Sequence, residues 1–420
     1  MPANNFVHRN YSWIVLIMGT LVVFGALGLA RYGYSMVLPE MQISLEMDNT
    51  QAGALATSNL AGYLAFALIG GAMAARIGIR LVVTMGLIMA GGGMLLTGLA
   101  DDFLPVAVWR GITGLGSGAA NVAVMGLWAA WFSRRWRGLA SGIAVAGSSM
   151  GLIFTGLMVP WLIAEYGDPA WRISWYIFSG IALFMAVAAY LVLRNNPGEM
   201  GMQPVLEEKT NNNNQEEEDA SASSSNEKPP SWKEVYLSAP VWVLGLVYSA
   251  FGFSYIIYMT FFVNFLVQEY TYTAAEAGNL YMIMGWVSLL CGIIWGSLSD
   301  IIGRKNTLVI IFLIHCVSFS LFGLGDASIY FTISAVLYGL TAWSIPAVMA
   351  AACGDMLGAK FAPAALGFIT LFFGIGQALG PMAGGSIADF TGSFAPAFLL
   401  AAAVALLGAI GSATLLKEKK

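Results

Sequence analysis

Charge is what this chain has least of. Only 10% of its 420 residues are Asp, Glu, Lys or Arg, whereas 58% are hydrophobic and mean hydropathy is +0.74. A soluble domain carries about 25% charged residues, so the chain could not cover a water-facing surface. That overrides the two or three soluble domains its length would suggest. Cysteine is scarce too: Cys291, Cys316 and Cys353 sit in apolar runs, with no CxxC spacing and no His pair nearby. They read as packing residues and exclude a disulfide framework or a metal site. No basic patch with interleaved aromatics occurs, which excludes nucleic acid as a partner. No nucleophile–base set or phosphate loop is visible, so neither an enzyme nor a bound cofactor is expected. The first apolar run is far longer than a signal h-region and lacks a small-residue cleavage site, so it is expected to stay in the mature protein.

What remains is apolar length. A spanning helix needs about 20 mostly apolar residues. Such runs fall near 12–37, 51–75, 80–100, 103–127, 138–163 and 171–193, then 240–268, 274–298, 305–325, 328–353, 361–387 and 393–415. They predict an N-terminal six-helix bundle over 1–195 and a C-terminal one over 239–420. Between them, residues 196–238 hold Asn211–Asn214, Glu216–Glu218 and a Ser-rich stretch. That segment is too polar to bury a core and predicts a flexible linker, with 231–236 lying along the interface. With the N-terminus placed in the cytoplasm, sixteen Lys and Arg fall inside and only Arg172 outside. The positive-inside bias therefore predicts both termini and the linker on the cytoplasmic side of the inner membrane.

Two patterns recur. The charged loop Gly296-Ser-Leu-Ser-Asp300-Ile-Ile-Gly303-Arg304-Lys305 has a weaker copy, Gly71-Ala-Met-Ala-Ala75-Arg76-Ile-Gly78-Ile-Arg80, 225 positions earlier. The ladder Gly367, Gly376, Gly380 repeats Gly138, Gly147, Gly151 at an offset of 229. Small residues at these spacings let helix backbones approach closely in lipid. Duplicated halves in a membrane protein point to a transporter.

These motifs resemble the major facilitator superfamily over nearly the whole chain. Gly296–Lys305 is similar to the superfamily signature between helices 8 and 9, although Ala75 replaces the acidic residue in the first copy. Arg110-x3-Gly114-x-Gly116-x-Gly118 resembles a second superfamily motif. The run Trp131-Phe-Ser-Arg134-Arg135-Trp-Arg137-Gly-Leu-Ala-Ser-Gly142 resembles the helix 4–5 junction of monocarboxylate and oxalate/formate transporters. The resemblance implies an all-α membrane protein, with twelve transmembrane helices in two pseudo-symmetric six-helix bundles. Helices 1, 4, 7 and 10 would line a central cavity. Asp300, Gly303, Arg304 and Lys305, with Arg76 and Arg80, would form a cytoplasmic latch that holds the outward-open state.

The substrate residue singled out is Arg31, deep in the first span. A guanidinium in hydrocarbon is costly and faces a cavity, a partner or the interface. No acid in that span can pair with it, so it offers a seat for a carboxylate or phosphate. Arg31, eight residues before Pro39, also resembles helix 1 of organic-anion transporters. The alternative is snorkelling to the outer surface, only six residues from the expected end of the span. Arg110 is a second cation, free for substrate or bridged to Asp101 or Asp102. Tyr248, Phe251, Tyr255, Tyr258 and Phe262 share one helical face, which either packs or lines the cavity. Tyr34, Asn121, Tyr255, Tyr258, Tyr338 and Trp343 complete the expected binding residues. His315 is read as packing or capping. No acidic residue lies deep in a span, so coupled protons would travel with the anion, its charge neutralised by Arg31.

The function expected is secondary transport of a small organic anion, a carboxylate first, by symport if protons are coupled. The protein is expected to act as a monomer in the lipid bilayer. A multidrug exporter is the alternative, but its Gly-Pro pair in helix 5 is Gly151-Leu152 here. A non-transporting sensor would need a signalling segment, and the linker is the only candidate.

Overall fold

The computed structural model describes residues 3–133, 136–201, 236 and 238–415. Arg134, Arg135, most of the linker and the C-terminal lysines lie outside the described residues. The first apolar run forms α1 (Ala3–Val23), a π-helical stretch (Phe24–Tyr32) and α2 (Gly33–Ser44) as one continuous rod. There follow α3 (Asn49–Ile77), α4 (Ile79–Leu99), α5 (Phe103–Trp131), α6 (Arg137–Tyr166) and α7 (Ala170–Val192). The second half holds α8 (Ala239–Glu269), α9 (Ala274–Ser288), α10 (Cys291–Ile302) and α11 (Arg304–Leu324). It ends with α12 (Ser328–Thr341), α13 (Ser344–Thr391) and α14 (Ala395–Leu415). No β-strand occurs among the described residues.

Among the described residues, ten helical stretches are each long and apolar enough to cross a membrane, and α3, bent near residue 68, makes an eleventh. The expected eighth span is α9 and α10, parted at Leu289–Leu290 into pieces of 15 and 12 residues. The expected loop between spans ten and eleven is not seen, because α13 runs through it. The break falls earlier, at Ala342–Trp343, where Pro346 sits in the first turn of α13 and needs no backbone donor. The two breaks touch: the Trp343 amide donates to Cys291 Sγ, and Trp295 Nε1 donates to the Leu340 carbonyl at 2.7 Å.

The duplication is visible atom by atom. Gly78 (φ 91°, ψ 147°) and Gly303 (φ 87°, ψ 153°) make the same turn between consecutive helices, in a region closed to residues with a Cβ. Capping boxes of Asp48 with Gln51, and of Thr273 with Glu276, start α3 and α9. In the glycine ladders, Gly147 lies on the backbone of Thr20 and Phe24, and Gly376 on that of Ser249 and Phe253. In these ladder contacts Gly147 and Gly376, Thr20 and Ser249, and Phe24 and Phe253 are each 229 apart, whereas the glycine turns and capping boxes repeat at 225.

The halves meet at the end expected to face outward. There Gly156 crosses Gly278, and Gly385 lies against the Asn49 carbonyl. Asp389 of α13 clamps the start of α3: its carboxylate accepts from the amides of Asn49 (3.0 Å) and Thr50 (2.7 Å) and from the Thr50 hydroxyl (2.6 Å). A carboxylate on a helix N-terminus also meets the positive end of the helix dipole. At the opposite end Gly71, Gly292, Gly296 and Gly367 face open space. Loss of the clamp should therefore favour opening at the Asp389 end. In Asp389→Asn, a membrane-impermeant thiol reagent added outside should label Ala56→Cys several-fold faster than in the Asp389 background. Equal labelling rates would leave the clamp without a gating role.

Candidate binding site

Arg31 is the penultimate residue of the π-helical stretch, one turn beyond Gly28. Gly28 abuts Gly151 so closely that a Cβ would lie 2.8 Å from the Gly151 Cα. This contact seats the first span against α6. Arg31 is 8% exposed, and its guanidinium lies 4.1 Å over the Tyr63 ring. Its Nε and Nη2 have no hydrogen-bond partner. Those two nitrogens form the edge of the guanidinium that takes a carboxylate through two parallel bonds. The hydroxyls of Tyr32 and Tyr255 lie close by, and the Gln377 amide donates to Tyr255.

Arg110 of α5 is 1% exposed. Its Nη1 donates to the Ala30 carbonyl at 2.8 Å, and its Nε is unpartnered. The rings of Tyr34 and Trp175 lie 4.7 Å and 4.9 Å from the guanidinium. The salt bridge to Asp101 is not formed: Asp101 pairs with Arg172 at 2.7 Å, at the helix end. Arg31 and Arg110 line one cavity of about 20 Å³, room for roughly one water. The second half supplies Ile256, Met259 and Thr260 to its wall, and among the described residues no Asp or Glu lines it. An unpaired buried charge costs several kcal/mol, of which a cation–π contact returns about 2. Two such groups facing one cavity point to an anion.

Snorkelling of Arg31 is overturned, because the first span continues to Ser44 and the side chain is enclosed. Tyr34 lines the cavity and donates its hydroxyl to the Ala52 carbonyl at 2.8 Å. Asn121 acts at one remove, donating to the Tyr63 hydroxyl at 2.9 Å. Trp343 packs against the Tyr32 ring in a tilted contact and donates to Ser149 at 2.9 Å, bridging the halves. Tyr258 is not at the cavity: its hydroxyl bonds Ser334 within a cluster of Phe262, Phe319, Phe322 and Phe398. Tyr338 joins that cluster and stacks on His315, which packs among Phe251 and Phe319 without a polar partner.

The expected latch stays within the second half. Arg304 binds Asp300 (2.6 Å), Asp355 (3.0 Å) and the Ser299 hydroxyl. Arg80 lies on Tyr190 and donates to its carbonyl, while Arg76 and Lys305 make no side-chain hydrogen bond or ion pair among the described residues. Sequence reasoning missed Tyr63, Asn59 and Gln377. Each is a polar residue in a largely apolar helix, Asn59 and Tyr63 on α3 and Gln377 on α13, and only packing reveals which faces inward.

The family model described as uncharacterised MFS-type transporter YbfB matches residues 23–412. The chain belongs to this family of major facilitator transporters. The transporter is 24% identical over 398 residues to the hexuronate transporter of Bacillus subtilis, covering 91% of this chain and 89% of that one. It is 22% identical over 430 residues to monocarboxylate transporter 13 of Rattus norvegicus, covering 96% and 90%. Among solved structures, the nucleoside transporter NupG superposes with a TM-score of 0.71 at 13% identity, covering 96% of this chain and all of that one. The transporter thus has the superfamily fold, and its cavity lies between the two halves.

Proposed function

We propose that the protein is a secondary transporter of a small organic anion, a carboxylate first, working by alternating access in the cytoplasmic membrane with both termini inside. One observation carries this reading: the Nε–Nη2 edge of Arg31 is buried, unpartnered and set beside a cavity that Arg110 also lines. The names of the hexuronate and monocarboxylate relatives support it. A cavity with two cations and no carboxylate disfavours export of cationic drugs. The Asp389 clamp across the halves at the expected outer end fits an arrangement closed to the outside. With no acid in the cavity wall, a coupled proton crosses as the partner of the anion rather than on a side chain.

A thermal-shift screen of purified protein against small carboxylates, sulfonates and lipophilic cations tests the substrate class. Ligand binding raises the melting temperature by mass action, about 2.7 kcal/mol at a hundred times Kd. Carboxylates should give the shift, whereas a response confined to cations would restore the exporter. In proteoliposomes, an inward proton gradient should accelerate uptake of the best carboxylate; uptake indifferent to the gradient would remove proton coupling.

A further inference from the structure

The cavity contains an orphan that two arginines and a bare carboxylate leave unexplained. Asn59 of α3 is 1% exposed, and its Nδ2 donates to the Arg110 carbonyl at 3.1 Å. That bond fixes the amide orientation, because only the NH₂ group can donate to a carbonyl. Asn59 Oδ1 is therefore an acceptor, and it is buried without a partner. Ser35 lines the same cavity from the first span, its hydroxyl buried without a hydrogen-bond partner, and Thr260 lines it from the second half. Arginine offers donors only, and with the Arg31 donors taken by a ligand carboxylate the donor left for Asn59 Oδ1 would come from the ligand itself. A buried acceptor left unsatisfied costs about 1–3 kcal/mol.

We infer that Asn59 and Ser35 form a specificity subsite for a hydroxyl carried beside the carboxylate, so that the substrate class is hydroxylated monocarboxylates. This rests on the anion reading above. The ligand would lay its carboxylate on Arg31 and donate its hydroxyl to Asn59 Oδ1. Three chemistries are disfavoured by the same atoms. A plain fatty acid leaves Oδ1 unpaired. A second carboxylate at the subsite sets oxygen against oxygen. An ammonium could donate to Oδ1, but it would lie beside two buried positive charges with no acid to offset them.

The test measures binding of lactate, propionate and alanine to the purified full-length protein by calorimetry, since these differ only in hydroxyl, hydrogen or ammonium. Glucuronate against cyclohexanecarboxylate repeats the comparison on a ring. Wild type should prefer the hydroxylated acid by roughly ten- to a hundredfold. Asn59→Ala should erase most of that preference while leaving affinity for the plain acid little changed. Ser35→Ala, which removes no bond to backbone, should lower it more mildly and guards against misfolding of the first variant. Equal binding of plain and hydroxylated acids, still dependent on Arg31, would overturn this inference and keep the anion site. A hydroxyl preference that survives both variants would also overturn it. Binding of none of these acids would overturn the anion reading itself.

Discussion

Arg31→Gln should abolish the melting-temperature rise that a bound carboxylate gives wild type, with affinity falling by about a hundredfold or more. Removing one partner of a buried, hydrogen-bonded charge pair costs about 2–5 kcal/mol. Gln keeps one amide donor but loses both the charge and the second parallel bond. Arg31→Lys should fall between the two, since an ammonium restores charge without the planar fork. Without ligand, the Gln variant should melt no lower than wild type, because the enclosed guanidinium has no carboxylate to offset its desolvation. A lower melting temperature of the free protein with carboxylate binding intact would make Arg31 a packing residue.

Gly151→Leu should prevent accumulation of folded protein. The Gly151 position meets the Gly28 backbone with no room for a side chain, and nothing there is a flexible end that could move aside. The helices would have to separate, which breaks the contact that seats the first span and carries Arg31 away from Arg110. Overpacking a tight core costs about 1–3 kcal/mol even where side chains can yield, and backbone yields less. Gly92→Ala serves as control, since that position faces open space. It should express and melt close to wild type. Equal yields of monodisperse protein from the two variants would mean the crossing is not a tight contact in solution.

The twelve apolar runs and the duplication could be read in the sequence because both rest on local chemistry. Apolar length specifies spans, and Gly78 and Gly303 mark turns that only glycine makes freely. The breaks at Leu289–Leu290 and Ala342–Trp343 could not be read. They depend on two helices supplying each other's missing partners through Cys291 and Trp295. The site was half legible. Arg31 stood out because a lone cation in an apolar run has few bland explanations. Asn59 and Tyr63 did not, since their roles come from which face of α3 meets the first span and α5. The aromatic face of α8 shows the converse: one periodic stripe holds both Tyr255, near Arg31, and Tyr258, which is buried in packing.

At the offset that matches Thr20 with Ser249 and Phe24 with Phe253, Arg31 falls on Thr260. Both line the same cavity, so a duplicated frame presents charge from one side and an almost neutral wall from the other. In the transport cycle proposed above, the first half would be a cradle and the second a shutter. As the halves rocked, an anion would stay with the cradle while the shutter swung clear. Its release to either side would then depend on how quickly water reaches two guanidinium groups that travel with it.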